Sequence, residues 1–327
     1  MSDVVTFGEA MVRLSPPNFQ RLEQTSSLEM RAGGAELNVA IGVTRFGLTS
    51  SWVSRLPDNP LGRFVQNQAR LFGVDTSRVV WSKEDRMGLY FLEFGAAPRA
   101  SSVLYDRAGS AISAIEPGDV NWDAVFKGAK LFHTSGITPA LSDSAAQVTM
   151  DALKAAKKAG VKVSYDLNYR GKLWSPERAR QVQTPMMDYV DVLITTEEDT
   201  NVVFGMKADT YTDVAAMLVN RFKFEAVAIT LRETPSVWRN SWTAIAWAGG
   251  KIYDTKTYEV EVVDRVGGGD SFSAGFIYGY LQGDVAKGVH YGVAFSALKH
   301  SIPGDLNFTT LDEVERAVKG AGLRIAR

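Results

Sequence analysis

The chain has 327 residues, of which 36 are basic and 37 acidic, and its 45% hydrophobic content is that of an ordinary globular protein. A formal net charge of −1 gives no electrostatic reason to expect nucleic acid or an anionic membrane surface as a partner. Cysteine is absent, which excludes disulfides and thiolate metal sites, and neither a secretory signal nor a run of ~20 apolar residues is present, so we expect a cytoplasmic protein without a membrane segment.

The N-terminal part of the sequence predicts core elements and a separate small sheet. Val4–Phe7 has the composition of a first core strand, and the irregular segment 11–31 is expected to leave the core as a hairpin. Gly33-Gly34 opens a predicted helix, where a ligand could approach the backbone closely, although an ordinary turn would use the same pair. Residues 88–93 and 102–106 alternate like two strands of a small covering sheet.

From residue 130 onward, a strand, a loop and a helix follow one another repeatedly. The predicted strands are 130–134, 161–166, 190–195 and 226–231. This alternation predicts an α/β fold with a mostly parallel sheet and helices on both faces, in which ligands bind at the carboxyl ends of the strands. Polar residues follow these strand ends at 166–170, 195–199 and 230–232.

The segment Val262–Gly275 joins a β-rich stretch to an uncharged helix through Gly267, Gly268 and Gly269. Three glycines before a helix N-terminus expose N–H groups that suit phosphate or another anion. Asp270 follows in the first helical turn, and a carboxylate beside an anion hole is explained if it accepts a hydroxyl proton during phosphoryl transfer. A simple glycine-rich turn with an acidic residue at a helix start is the alternative that the local sequence leaves open.

Other common motifs are missing from the sequence. Neither Gly171-Lys172 nor Gly250-Lys251 completes a P-loop, and no Gly-x-Gly-x-x-Gly follows the first strand, which disfavours a nicotinamide-dependent oxidoreductase. The three histidines have no spacing typical of a metal cluster.

Two signatures resemble those of the ribokinase-like (PfkB-type) carbohydrate kinases: Gly33-Gly34-Ala-Glu-Leu-Asn38 and Asp264-Arg-Val-Gly-Gly-Gly-Asp270-Ser-Phe. The resemblance covers nearly the whole chain and implies a Rossmann-like αβα core with a small β-sheet lid. The core would comprise residues 1–10, 32–85 and 108–327, and the lid residues 11–31 and 86–107. In relatives the lid covers the sugar and often provides a dimer contact, which implies a homo-oligomer formed through the lid.

By the same resemblance, ATP with Mg²⁺ is the phosphoryl donor, Asp270 is the base, and the three glycines before it form the anion hole. The implied nucleotide contacts are Thr196, Asp199, Thr230, Arg232, Gly267 and Gly269, and Asp199 would also act on Mg²⁺ through water. The chain departs from the family pattern at Arg265 and Gly268, where threonine and alanine are usual, and at 196–199, where Asn-x-x-Glu is usual. Arg232 replaces a glycine and could contact nucleotide phosphates or simply be solvated. A monovalent cation near residues 264–267 is a possibility raised by the resemblance alone.

Within the family, the chain is most similar to kinases of 2-keto-3-deoxygluconate, in residues 89–90, 105–111, 135–138 and 166–175. The implied reaction is ATP-dependent phosphorylation of the 6-hydroxyl, giving 2-keto-3-deoxy-6-phosphogluconate. The implied substrate contacts are Gly34, Asn38, Tyr90, Tyr105, Arg107, Ile137, Asn168, Arg170 and Asp305. A sugar acid suits the chain because an arginine, either Arg107 or Arg170, binds a carboxylate through paired, planar hydrogen bonds.

Several of these contacts have a structural alternative. The two tyrosines could pack the lid sheet, either arginine could pair with a neighbouring acid, and Asn38 could buttress a turn. At the level of function, fructokinase or another PfkB-type sugar kinase is the main alternative. A non-catalytic sugar-acid binder is the weaker one, kept because residues 196–199 and Arg232 depart from the family pattern.

Overall fold

The computed structural model describes residues 2–320, except for the side chains of Thr234 and Pro235. These residues form fifteen strands and ten α-helices. In chain order, the strands are β1 Val4–Phe7, β2 Met11–Ser15, β3 Glu29–Gly33, β4 Ser50–Val53, β5 Arg55–Pro57, β6 Val80–Ser82, β7 Leu89–Glu93, β8 Ser102–Asp106, β9 Leu131–Ser135, β10 Lys162–Asp166, β11 Val192–Thr195, β12 Ala226–Ser236, β13 Arg239–Ala248, β14 Lys251–Asp254 and β15 Tyr258–Glu261. The helices are α1 Ala35–Arg45, α2 Pro60–Leu71, α3 Trp122–Val125, α4 Asp143–Lys158, α5 Pro176–Met186, α6 Glu197–Phe204, α7 Tyr211–Phe222, α8 Gly268–Leu281, α9 Val285–Lys299 and α10 Leu311–Val318.

The central sheet has nine strands in the order β14-β13-β12-β11-β10-β9-β1-β4, with β15 also paired to β13. Strands β4, β1, β9, β10, β11 and β12 are parallel, and β13 is antiparallel to β12, β14 and β15. Successive side chains of β1 join different apolar clusters, because they point to opposite faces of the sheet. Phe7 packs with α4 and α5 residues, whereas Val4 packs with Val39 of α1 and Phe295 of α9. The predicted mostly parallel sheet with helices on both faces is confirmed.

Helix α8 carries the glycine turn at its N-terminus and lies tightly against α9. A Cβ on Gly275 of α8 would lie 2.7 Å from the Cα of Gly292 in α9, and Gly279 and Gly288 form a second close contact of the same kind. Larger residues at these positions would push the two helices apart. The uncharged helix predicted after the glycine turn is confirmed, and it runs from Gly268 to Leu281.

The lid is a four-stranded sheet in the order β3-β2-β7-β8. Its strands lie in the two segments predicted as the lid, except that β3 continues two residues further, to Gly33. Two neighbouring rows of paired residues cross the sheet and lie on opposite faces of it. The first row consists of Arg31, Arg13, Tyr90 and Tyr105, and the second of Met30, Leu14, Phe91 and Leu104.

Strand β12 is longer than the sequence pattern predicts. It continues past Leu231 to Ser236 because the tryptophan-rich segment that follows folds back as β13, with Arg232 opposite Trp242. Strands β5 and β6 form an additional two-stranded parallel sheet that was not predicted. No helix among the described residues has the length and apolar character needed to cross a bilayer.

Candidate active site

The carboxyl ends of the parallel strands open into a cavity of about 790 Å³ that residues of the lid sheet also line. Its walls come from the ends of β10, β11 and β12, from the N-termini of α1, α6 and α8, and from the lid strands β7 and β8. Every residue predicted above for the site lines this cavity: Gly34, Asn38, Tyr90, Tyr105, Arg107, Ile137, Asn168, Arg170, Thr196, Asp199, Thr230, Arg232, Gly267, Gly268, Gly269, Asp270 and Asp305. The fold thus gathers distant segments at the edge of the sheet where α/β proteins bind ligands.

The glycine turn forms the N-terminus of α8. Gly267 has a φ of 84°, a conformation that favours glycine, and a Cβ there would collide with the carbonyl oxygen of Asp305. A Cβ on Gly268 would lie 2.9 Å from Cε1 of His300, so the alanine usual in the family pattern would require that ring to move. Gly269 faces open space. Because the first amides of a helix have no intrahelical partner, this turn places N–H groups and the positive end of the helix dipole at the cavity wall. The Gly268 N–H also donates to the carbonyl oxygen of Arg265 at 3.2 Å.

Asp270 is held at this turn by a side chain from α1. The Asn38 amide nitrogen donates to Asp270 Oδ2 at 2.6 Å. Burial raises the pKa of Asp270 to about 6, although the hydrogen bond from Asn38 and the positive charge of Arg170 oppose the shift. The carboxyl group is therefore ionised at neutral pH, yet more basic than an exposed aspartate, which suits a general base.

Arg170 lies near enough to three carboxyl groups for its charge to lower their pKa values: those of Asp166, Asp199 and Asp270. Burial raises the pKa of Asp166 well above its ordinary value, the negative charges of Asp270 and Asp199 raise it further, and Arg170 lowers it. The pKa of Asp199 is also raised by burial and lowered by Arg170 and by Thr196, whose hydroxyl caps α6 through the Asp199 N–H at 3.0 Å. Arg170 forms no close ion pair with any of the acids in residues 2–320, so it stays available to an anionic ligand.

The nucleotide side predicted above carries two neighbouring arginines. Arg232 is exposed at the cavity wall and Arg265 is half-buried. Burial lowers the pKa of Arg265, and the positive charge of Arg232 lowers it further, as expected for two like charges at close range. Neither forms a close ion pair with an acid in the described part of the chain. Two guanidinium groups beside an anion hole fit a polyphosphate.

The acidic groups decide what kind of metal this cavity suits. Within the described residues, no three histidine or acidic side chains are arranged to hold an ion directly. Mg²⁺ commonly keeps several waters and binds through substrate phosphates, and its charge would relieve the repulsion that raises the pKa of Asp166. The residues therefore fit Mg²⁺ held through water and phosphate, with Asp199 and Asp166 as the nearby carboxylates.

Arg107 forms an ion pair with an acid of the same chain, which was the structural alternative to substrate binding expected from the sequence. Its guanidinium forms an ion pair with Glu9, a buried residue that also accepts a hydrogen bond from the Ser110 hydroxyl at 2.6 Å. Arg107 thus brings less uncompensated charge to the cavity than Arg170 does. Tyr105, whose ring centroid is 5.4 Å from the Arg107 guanidinium, is 38% exposed and borders the cavity.

Asp305 and Tyr90 are also bonded to each other. The Tyr90 hydroxyl donates to Asp305 Oδ2 at 2.5 Å, and Arg13 donates to Asp305 Oδ1 at 2.8 Å. Arg13 forms a second ion pair at 2.7 Å with Asp264, in the loop before the glycine turn. This buried network joins strands β2 and β7 of the lid sheet to the core loops that contain Asp264 and Asp305. It uses part of the hydrogen-bonding capacity of Tyr90 and Asp305.

Sequence reasoning missed four buried charged residues near the site: Glu9, Arg13, Glu36 and Lys299. Glu9 follows the carboxyl end of β1, so the same rule that located the other polar residues could have found it. Glu36 lies inside the first glycine signature and was not distinguished from its neighbours. Arg13 and Lys299 carry no local signal, because their partners lie far away in the sequence or are backbone carbonyls.

Comparison with known proteins agrees with this architecture. A solved structure of a putative ribokinase II from E. coli, in complex with ATP and Mg²⁺, shares the fold with a TM-score of 0.84 at 19% identity, covering 98% of this chain and 100% of that one. The pfkB family carbohydrate kinase model matches residues 1–309. The chain therefore belongs to the pfkB family of carbohydrate kinases.

Two more similar proteins bear on the substrate. A 2-dehydro-3-deoxygalactonokinase from Haloferax volcanii is 41% identical over 327 residues, covering 100% of this chain and 99% of the relative. The crystal structure of a 2-dehydro-3-deoxygluconokinase from Thermotoga maritima has a TM-score of 0.95 and 44% identity, covering 97% of this chain and 98% of that one.

Proposed function

We propose that this chain is an ATP-dependent kinase that phosphorylates 2-keto-3-deoxygluconate, also called 2-dehydro-3-deoxygluconate, at its 6-hydroxyl. The observation that carries the proposal is Asp270, a carboxylate of raised pKa that Asn38 holds at the glycine turn beginning α8. The name of the Thermotoga maritima structure supports the choice of sugar acid. The Haloferax volcanii relative favours a second candidate, the 2-keto-3-deoxygalactonate epimer.

The residues of the chain divide the reaction between them. Asp270 accepts the proton that the substrate hydroxyl loses as its oxygen bonds to phosphorus. The amides of Gly267, Gly268 and Gly269 stabilise the charge that develops on the transferring phosphoryl group. Bound ATP with Mg²⁺ would supply that group and neutralise part of its charge. The lid side chains Val103 and Tyr105 would exclude water from the cavity.

The ligand contacts follow from charge and position. Arg170 would bind the substrate carboxylate, since it has no close acidic partner among residues 2–320, and Asn168, beside it with a φ of 39°, would bind an adjacent oxygen. The other sugar contacts would come from Gly34, Tyr90, Tyr105, Arg107, Ile137 and Asp305. The nucleotide phosphates would lie against Arg232 and Arg265, with Thr196, Asp199 and Thr230 nearby.

A substrate panel tests this proposal. ADP release would be measured with 2-keto-3-deoxygluconate, its galactonate-derived epimer, fructose and ribose. We expect kcat/KM for the two acids to exceed that for the neutral sugars by roughly tenfold to a hundredfold, the value of one charge-assisted contact. Arg170→Met should remove this preference. Fast turnover of fructose with none of the acids would make the enzyme a fructokinase, and acid binding by calorimetry without ADP release would make it a binder.

We also propose that the enzyme is a homodimer formed through the lid. The row Met30, Leu14, Phe91 and Leu104 lies on the lid face opposite Tyr90, and its ends are open to solvent, with Met30 45% and Leu104 59% exposed. A second copy of this row would cover it. Light scattering should give the mass of a dimer for the wild type and of a monomer for Met30→Glu/Leu104→Glu. A monomeric wild type would contradict the proposal.

A further inference from the structure

Lys299, at the end of α9, is a fully buried lysine that forms no ion pair with any carboxylate in residues 2–320. Its ammonium donates to the carbonyl oxygen of Asp264 at 3.0 Å and to that of Ile302 at 3.1 Å. Burial lowers the pKa of Lys299 to about 8, although the charges of Asp264 and Asp305 oppose the shift. A buried ammonium on backbone carbonyls costs desolvation energy and is retained where it serves a purpose.

The two carbonyls belong to the loops on either side of the anion hole. Asp264 lies in the loop between β15 and Gly267, and its carboxylate accepts hydrogen bonds from the Val266 N–H at 3.1 Å and the Gly304 N–H at 2.8 Å. Ile302 lies in the loop that leads to Gly304. Lys299 therefore connects, through hydrogen bonds to both, the two loops that fix the position of the glycine turn.

This arrangement does not fit a monovalent-cation site near residues 264–267, which the family resemblance made a possibility. Such an ion would be bound by backbone carbonyls, yet the carbonyl of Asp264 already accepts from the Lys299 ammonium. A second positive charge on the same oxygen would lie within a few ångströms of the first and be repelled.

We propose that Lys299 is a positioning residue that supplies from the chain itself the positive charge fixing the anion-hole loop, so that phosphoryl transfer requires no added monovalent cation. The inference rests on the kinase activity proposed above. A thermal-melting measurement, which needs no substrate, separates its failure from failure of that activity.

The first test uses the wild-type enzyme in about 100 mM KCl or in the same concentration of tetramethylammonium chloride, with ATP as its tetramethylammonium salt. We expect the melting temperature to agree within about 1 °C and kcat within about twofold, because no specific ion binds the folded state. A tenfold stimulation by K⁺, or a melting temperature several degrees higher in K⁺, would overturn the proposal.

The second test is Lys299→Met, with Lys287→Met on the same helix as the matched control. In tetramethylammonium we expect Lys299→Met to lose roughly tenfold or more in kcat while its calorimetric affinity for the sugar acid stays within about twofold. K⁺ or NH₄⁺ should restore part of kcat, which a merely structural role would not explain. A folded Lys299→Met enzyme with wild-type kcat would contradict the inference. Should this variant fail to fold, the wild-type cation exchange decides the question.

Discussion

The two ends of the cavity differ in how their charges are paired. At the lid end, Arg13 and Arg107 form ion pairs with Asp305 and Glu9, and little of these side chains is exposed. At the other end, which is the proposed nucleotide end, Arg232 and Arg265 form no close ion pair with any acid in residues 2–320. The lid end is thus built to keep its shape without a ligand, whereas the nucleotide end carries positive charge for an anionic ligand to neutralise.

Substitutions at the lid end should mainly change the stability of the protein. Arg13→Met leaves Asp264 and Asp305 buried without their cation, and we expect the free energy of unfolding in urea to fall by about 3–5 kcal/mol. Arg178→Met is the matched control, since it removes an exposed ion pair with Asp143 and should cost at most about 1 kcal/mol. Equal losses in the two variants would show that the buried network does not hold the lid to the core.

Substitutions at the nucleotide end should mainly weaken ligand binding. Arg232→Met and Arg265→Met should each raise KM for ATP by roughly tenfold to a hundredfold, because each removes a charge-assisted contact to phosphate. KM for the sugar acid and the urea midpoint should stay near the wild-type values. An unchanged KM for ATP in both variants would mean that these side chains are only solvated, and the contrast between the two ends would then lack a functional meaning.

Glu36 of α1, which is buried in the core, makes the stability of the protein depend on pH. Its Oε1 accepts from the Ser135 N–H at 3.0 Å, the Ser135 hydroxyl at 2.6 Å and the Thr138 hydroxyl at 2.9 Å, and burial raises its pKa to about 7. Because the folded pKa lies above the ordinary glutamate value of 4.5, its contribution to stability is fully present below pH 4.5 and is lost as the pH rises through 7.

Glu36→Gln removes this titration. Between pH 4.5 and 7, the wild-type free energy of unfolding should fall more steeply than that of Glu36→Gln, by roughly 1–3 kcal/mol over the window. Urea unfolding at several pH values measures the difference. Parallel curves for the two proteins would mean that Glu36 is already ionised throughout this range.

The fold and the strand ends could be predicted because their signals are local. Alternating strands and helices predict the parallel sheet, and polar residues after each strand predict the edge where Asn168, Thr196 and Asp270 meet. The pairing at the lid end could not be predicted, since Arg13 and Asp305 are 292 residues apart and only the folded chain brings them together. The same holds for Lys299, whose partners are backbone carbonyls that any sequence would provide.

The role of Asp270 as the base is tested most directly by the pH dependence of kcat/KM in the wild type and in Asn38→Ala. A base must be ionised, so the wild-type rate should rise with pH through about 6, the pKa of Asp270. Asn38 stabilises the ionised form through its hydrogen bond, so its removal should move this rise to higher pH by roughly 0.5–1 unit. A rise at the same pH in both enzymes would contradict the assignment, because the titrating group would then not be the one that Asn38 contacts.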